Sequence, residues 1–391
     1  MSTLVATGLN AVVALGPQLI ALVLLVPVDF ARFSLVYLIF ALGTSVLLST
    51  VCEATNHQGE ESGRDITAVY LSAAGWIAAT TLPVSLTVAL TAGTRPLDSV
   101  ILAVAIALAC YRVPARFREV ATHQVGVAAR ADLVGALALF AVVTGGLLLD
   151  APGLTTIALA WCVAGAASTA VGFVVRPAGP SVLVEWIRPR RARVKHLLSD
   201  SVLLDISSIG TPYAIAPLLG LAGFSAYRAV SNVAAPVRIL LSAVRPWIAT
   251  SSARVNVRGR HMVLALTLSV SLGGAAFGAL AILDSSGLDV GALSEVSRFA
   301  VQCGLFVAAG LMGQYLYVAA RSHLSGTALW RGRLLQSVLA IGLPVAGALS
   351  RDTEIAINYY VASAILCAFA WYLFLLPVSR REAGSGGPST A

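Results

Sequence analysis

Residues 31–52 read ARFSLVYLIFALGTSVLLSTVC, a run whose only charged residue, Arg32, lies at its start. A transmembrane helix needs about 20 mainly apolar residues, so this stretch is long enough to cross a bilayer. Comparable stretches follow one another along a chain of 391 residues, of which 58% are hydrophobic and 11% charged. Soluble domains carry about 25% charged residues. The sequence therefore predicts an all-α, polytopic integral membrane protein.

The apolar stretches are separated by glycine, proline and charged residues, which predict about twelve transmembrane helices, six in each half. The seventh and eighth spans are separated only by residues 220–223. The predicted spans are 4–27, 31–52, 68–92, 97–115, 130–149, 153–175, 199–221, 224–248, 261–283, 297–319, 329–349 and 355–377.

The basic residues test this topology independently, because short cytoplasmic loops collect lysine and arginine. With the N-terminus inside, the exported connectors hold only Arg32, Arg95, Arg298 and Arg351. The cytoplasmic set, in connectors and at the span ends beside them, holds Arg64, Arg112, Arg116, Arg118, Arg130, Arg176, Arg188, Arg190, Arg191, Arg193, Lys195, Arg254, Arg258, Arg260, Arg321, Arg331, Arg333, Arg380 and Arg381. This alternation predicts a multi-pass cell-membrane protein with both termini in the cytoplasm. It also accounts for the formal charge of +8 without nucleic acid as a partner.

The longest basic connector lies near the middle of the chain and is rich in proline and arginine. It predicts an N-terminal six-helix bundle at 1–176, a cytoplasmic linker at 177–197 and a C-terminal six-helix bundle at 198–378. The Gly/Ser-rich tail, 379–391, is expected to be disordered. The linker is interpreted as a topology signal lying on lipid headgroups or as a docking segment for a partner.

The two halves share a faint repeat in their first helical pairs. PQLIA at 17–21 corresponds to PYAIA at 212–216, and LLSTV at 47–51 corresponds to LLSAV at 240–244. Two repeats of six spans each have the same orientation, so an axis along the membrane normal would relate them.

Signatures of catalysis and of metal binding are missing from the sequence. It contains no G-x-S-x-G elbow, H-E-x-x-H, P-loop or dinucleotide-binding glycine pattern, and these are the short motifs by which such chemistry is recognised. Its five cysteines stand singly in apolar stretches, with no histidines at ligand spacing. The sequence therefore predicts a protein that is not an enzyme and has no metal or cofactor.

Arginines inside the eighth predicted span are the strongest candidates for binding, because a charge in a bilayer is costly and normally faces a cavity or a partner. The candidates for holding an anionic head group are Arg228, Arg238 and Arg245, with Ser231 and Ser242 beside them. Alternatively, the outer two arginines extend to opposite membrane interfaces, which leaves Arg238 as the deep charge.

Three acidic residues are candidates for coupling or gating. Asp205 in the seventh span could pair with an arginine of the eighth, bind a transported cation, or lie at the interface. Asp132 and Glu53 stand at span ends and are favoured as interfacial charges. Pro212 and Pro236 are candidate hinges, because prolines that interrupt spans can free backbone carbonyls.

Several segments resemble the multidrug/oligosaccharidyl-lipid/polysaccharide (MOP) exporter superfamily, and within it the O-antigen and polysaccharide flippases. They are DFARFSLVY at 29–37 with Glu53 after it, the pairs Tyr111-Arg112 and Ala131-Asp132, AYR at 226–228, and the run from Pro236 through LSAVRP at 241–246. The likeness extends over most of the chain.

This resemblance implies a V-shaped pair of helical bundles that flips a polyprenyl-pyrophosphate-linked oligosaccharide or polysaccharide precursor by alternating access. It also implies membrane lipids as partners, together with a glycan polymerase or glycosyltransferases of the same pathway. Two alternatives stay open: a drug or small-molecule exporter of the same superfamily, and a membrane-embedded glycan polymerase or ligase. The exported connectors are short, the longest being 283–298, which disfavours the enzyme.

Overall fold

A computed structural model describes residues 3–52, 66–121, 124–151, 153–172, 179–235, 248 and 251–384. Within these ranges the regular structure is helical and includes no strand, so the expected all-α fold class is confirmed. The helices form two compact units, Met1–Asp205 and Ile206–Ala391.

In its described residues, the first unit contains eight α-helices and two shorter helical segments. Helix α2 continues into a π-helical segment at Leu48–Cys52, and a 3-10 turn at Arg188–Arg190 joins α7 to α8. The helices are α1 (Thr3–Leu24), α2 (Pro27–Leu47), α3 (Ile66–Thr91), α4 (Pro96–Ala121), α5 (Val125–Leu148), α6 (Leu154–Gly172), α7 (Pro180–Ile187) and α8 (Arg191–Asp205).

The second unit begins with a π-helical segment at Ile206–Gly210, which continues directly into a long helix. The α-helices in its described part are α9 (Thr211–Val233), α10 (Ala253–Arg258), α11 (Arg260–Ser286), α12 (Ala292–Ser297), α13 (Ala300–His323), α14 (Gly326–Ala348) and α15 (Thr353–Gly384).

Among the described residues, nine helical stretches are long and apolar enough to cross a membrane, and the shorter Gly8–Leu24 is apolar as well. The stretch Leu197–Val233 covers both the seventh and the eighth predicted spans. The protein is therefore a multi-pass membrane protein, as its composition predicts. The division into six spans per half stays a prediction.

The basic segment at the centre of the chain is largely helical where the structure describes it. Trp186 and Val194 are buried against Val51 and Tyr70 of the first unit, and the Ser72 hydroxyl donates to the Gly179 carbonyl at 2.9 Å. Burial of these side chains explains why a stretch that reads as a linker folds. The two compact units consequently divide at Asp205, downstream of the predicted linker.

The boundary expected at residues 220–223 is a single irregular residue inside α9. Gly220 has φ 67° and ψ 175°, while the residues on either side remain helical. This positive φ favours glycine, because a side chain there meets steric strain. The sequence correctly marked the break but overestimated its length.

Two glycines bring α11 and α13 into close contact. A Cβ added to Gly273 would lie 2.6 Å from the Gly304 carbonyl oxygen, and one added to Gly304 would lie 2.8 Å from that of Gly273. Small residues allow such close packing in membranes, where helices gain nothing from hydrophobic burial against each other.

Replacing Gly273 with alanine should therefore destabilise the protein by about 1–3 kcal/mol, the usual cost of overpacking. Gly274→Ala is the matched control, because a Cβ there meets no atom within 4 Å. Alanine also forms helices better than glycine by roughly 0.8–1.0 kcal/mol, so the control should keep or gain stability. Thermal unfolding in detergent compares the two, and equal melting temperatures would contradict the proposed packing.

Candidate functional site

Arg228 lies within α9, in the part that follows the break at Gly220. It is 8% exposed, and Ser231 and Asn232 beside it are buried too. The Ser231 hydroxyl donates to the Arg228 carbonyl at 2.8 Å, so in this arrangement its remaining capacity is that of an acceptor. Of the two residues, the guanidinium is thus the better donor to an anion.

Aromatic side chains surround this region of the second unit. The Tyr227 and Tyr360 ring centroids are 4.5 Å apart, as are those of Phe306 and Tyr360. Arg228 interacts electrostatically with both Tyr213 and Tyr227. The arginine therefore lies beside a cluster that offers apolar ring faces and phenolic hydroxyls.

Five of the ten candidate site residues lie outside the described residues. Arg238, Arg245, Ser242, Pro236 and Glu53 all belong to this group. Their assignment as head-group, hinge or coupling residues stays a prediction.

Asp205 is the last residue of α8 and is 6% exposed. It shares a hydrogen bond with the Ser45 hydroxyl of α2, and its Oδ2 accepts no hydrogen bond from the described residues. This carboxylate is buried inside the first unit, where it retains capacity to bind a cation or a proton.

Two π-helical segments stand next to this pair, Leu48–Cys52 after Ser45 and Ile206–Gly210 after Asp205. In the first, the Thr50 hydroxyl bonds to the Val46 carbonyl at 2.6 Å and so competes with the α-helical ladder. The second precedes Pro212, whose ring would clash with the carbonyl four residues back in a regular helix. The candidate hinge Pro212 is therefore accommodated by a widened turn, and π turns of this kind are common at functional sites.

Asp132 forms a buried ion-pair cluster in the first unit. Its Oδ1 accepts from Arg112 Nη1 at 2.6 Å, its Oδ2 accepts from Arg116 Nε at 2.8 Å, and its side chain is fully buried. Arg112 Nη2 also donates to the Asn10 side chain at 3.4 Å. The cluster thus links α1, α4 and α5. It contains two arginines but one carboxylate.

The sequence marked Asp132 as a coupling candidate or an interfacial charge but counted Arg112 and Arg116 only among the cytoplasmic charges that set the topology. Helix α4 instead runs through both arginines to Ala121, several residues beyond the predicted end of the fourth span. Their spacing of four residues puts them on one helical face, and this signal could have identified the pair.

Arg333 is another buried arginine that the sequence counted among the cytoplasmic charges. Its guanidinium carbon lies 3.8 Å from the centre of the Tyr317 ring. Its Nη1 donates to the Gln336 side-chain oxygen at 3.3 Å, which also accepts from Trp371 Nε1 at 3.1 Å. This network joins α13, α14 and α15, so its first role is to hold these helices together.

Known proteins match this chain in structure and not in sequence. No protein-family model matches it, and no curated protein does. A multidrug resistance MATE family transporter of the MOP superfamily, inward-facing, superposes with a TM-score of 0.62 at 11% identity, over 99% of this chain and 97% of that one. The lipid II flippase MurJ, inward closed, superposes with a TM-score of 0.60 at 9% identity, over 97% and 90%.

The chain has the MOP transporter fold. The Vibrio cholerae MATE transporter VcmN in its bent form extends the comparison, with a TM-score of 0.57 at 11% identity over 96% of this chain and 95% of that one. The MOP resemblance inferred from the sequence is thus confirmed at the level of the fold. Since one fold can serve several cargoes, the cargo has to be argued from the site.

Proposed function

We propose that the protein is a membrane transporter that translocates a polyprenyl-pyrophosphate-linked oligosaccharide or polysaccharide precursor by alternating access. The observation that carries this proposal is the buried Arg228 beside an aromatic cluster. Two further arginines, Arg238 and Arg245, follow on the same predicted span.

The argument from Arg228 is electrostatic. A charged side chain within a membrane span is costly, by about 2.5–3.5 kcal/mol at the bilayer centre on insertion scales, and such a charge normally faces a cavity or a partner. A guanidinium binds phosphate through two parallel hydrogen bonds, and attraction between charges strengthens where the dielectric constant is low.

The aromatic cluster fits the other part of the same cargo. Tyr227 and Tyr360 combine apolar ring faces with hydroxyl groups, and Phe306 adds a purely apolar face. A lipid-linked glycan joins a pyrophosphate to an apolar chain and a polar sugar. Arginine and aromatic rings together suit this combination better than either does alone.

A small-molecule exporter is the second candidate, and Asp205 is the observation that favours it. A buried carboxylate that retains acceptor capacity suits a cationic drug or a coupling ion. The fold does not separate the candidates, because the superpositions on MATE and MurJ are nearly equal in TM-score.

Reconstitution in vesicles tests the proposal. A fluorescent polyprenyl-pyrophosphate oligosaccharide would be placed in the membrane, and the fraction protected from an external glycosidase measured over time. We expect protein-dependent exchange of this lipid, with little uptake of a cationic dye such as ethidium. Dye transport without movement of the lipid would instead support a small-molecule exporter and contradict the assignment of a lipid-linked glycan as the cargo.

Three further expectations belong to this proposal. The protein would reside in the cell membrane with both termini cytoplasmic, as its arginine distribution predicts. It would act beside a glycan polymerase or glycosyltransferases that make or consume the precursor. Asp205 would couple transport to an ion gradient, in which case Asp205→Asn would remove the gradient dependence of lipid exchange.

A further inference from the structure

The second unit contains a cleft that the transport proposal does not use. It has a volume of about 570 Å³ and lies where the end of α13 and the start of α14 meet the C-terminal part of α15. This volume falls within the ~300–1,000 Å³ typical of small-molecule sites. The cleft is therefore large enough for part of a lipid.

The lining of the cleft is amphipathic. Its apolar part includes Leu324, Leu373, Phe374 and Val378, while His323 and Ser325 supply polar groups. Such a surface suits a ligand with an apolar chain and a polar head.

The orientation of His323 follows from a buried asparagine. Asn256 Nδ2 donates to the carbonyls of Ile248 and Ser251 at 3.0 and 3.3 Å, which identifies this atom as the amide nitrogen. The same nitrogen lies 3.5 Å from His323 Nε2. This contact helps to position the His323 ring beside the cleft, where a protonated ring nitrogen can donate to a ligand.

Two exposed basic residues stand close to the lining residues along α13 and α15. Arg321 lies in the last turn of α13 and is exposed, and Arg380 is exposed one helical turn beyond the lining residue Pro377. Trp330, 56% exposed on α14, is of the kind that gathers at headgroup level. The arginine distribution predicts this side of the membrane to be cytoplasmic.

We propose that this cleft binds one anionic phospholipid of the cytoplasmic leaflet. An acyl chain lies on Leu324, Leu373, Phe374 and Val378, and the headgroup phosphate accepts from His323 and is attracted by Arg321 and Arg380. Basic pockets between helices on this side of membrane proteins bind anionic headgroups in the same way. The site involves none of the residues assigned to the cargo, so it stands apart from the proposed transport.

Native mass spectrometry of the full-length protein tests this site, with phosphatidylglycerol and phosphatidylcholine of identical acyl chains as probes. We expect phosphatidylglycerol to be retained preferentially. Arg380→Gln should reduce its retention about fivefold, equivalent to ~1 kcal/mol for one cation near an anionic surface, without changing that of phosphatidylcholine. Equal retention of the two lipids by the wild type would overturn the proposal.

A second variant separates the cleft from general surface charge. Ala328→Trp fills the cleft and should lower the retention of both lipids. Val338→Trp is its control, because Val338 lies on the same helix but is 58% exposed and outside the cleft. Unchanged lipid retention in Ala328→Trp would also overturn the proposal. If that variant fails to fold, the exposed Arg380→Gln still decides the result.

Discussion

Asp132→Ala should destabilise the protein by about 3–5 kcal/mol, because removing one partner of a buried ion pair leaves the other charge uncompensated. Both Arg112 and Arg116 bind this carboxylate, and Arg112 is only 3% exposed. Alanine would leave the buried Arg112 guanidinium without the carboxylate that it binds. Thermal unfolding of the detergent-solubilised protein measures the loss.

Two further variants serve as controls for Asp132→Ala. Arg130→Ala removes an exposed arginine of α5, the helix that carries Asp132; its Nε donates to the Gly126 carbonyl one turn earlier. This variant should change stability by less than about 0.5 kcal/mol. The double variant Arg112→Leu/Asp132→Leu should recover much of the loss, because well-packed apolar residues can replace a buried ion pair. An Asp132→Ala protein as stable as the wild type would contradict the structural role of the cluster.

Arg228→Ala should slow exchange of the pyrophosphate-linked lipid about tenfold or more. A hydrogen bond to a charged group contributes about 1.5–3 kcal/mol, and ~1.4 kcal/mol corresponds to a factor of ten. Arg228→Lys keeps the charge but loses the bidentate hydrogen bonding of a guanidinium. Its rate of lipid exchange should therefore fall between those of the wild type and the alanine variant.

The control for this experiment is Arg298→Ala, which removes an exposed arginine of the connector between α11 and α13. It should exchange lipid at the wild-type rate. A lipid with a neutral head group distinguishes binding from folding, because Arg228→Ala should leave its exchange unaffected. If the alanine variant moved both lipids as the wild type does, Arg228 would have no part in head-group recognition.

The sequence predicted the class of fold because that prediction needs only hydropathy. Apolar stretches such as residues 31–52 have few alternatives to a helix in a bilayer, because every backbone polar group there must form its hydrogen bond within the protein. Gly220 was recognised as a break because glycine is the residue that tolerates its positive φ. The superfamily resemblance followed from the order of spans and a few short segments.

The sites were harder to predict because they depend on contacts between distant residues. Nothing in the sequence near Asp205 pointed to Ser45, 160 positions earlier, as its hydrogen-bond partner. Arg112 and Arg116 looked like a topology signal, since their count per loop says nothing about burial. Arg333 was counted as a topology charge for the same reason, whereas it stacks on Tyr317.

Helix α11 shows how little of a membrane protein's sequence its architecture requires. Its buried positions are His261, Ala265, Ser269, Gly273 and Leu280, which form one narrow stripe at intervals of four or seven residues. Most of its other side chains are at least partly exposed and need only be apolar enough for lipid. Those residues can be exchanged for other apolar residues almost freely. Two related proteins could therefore keep the same architecture after almost all of their sequence similarity is lost.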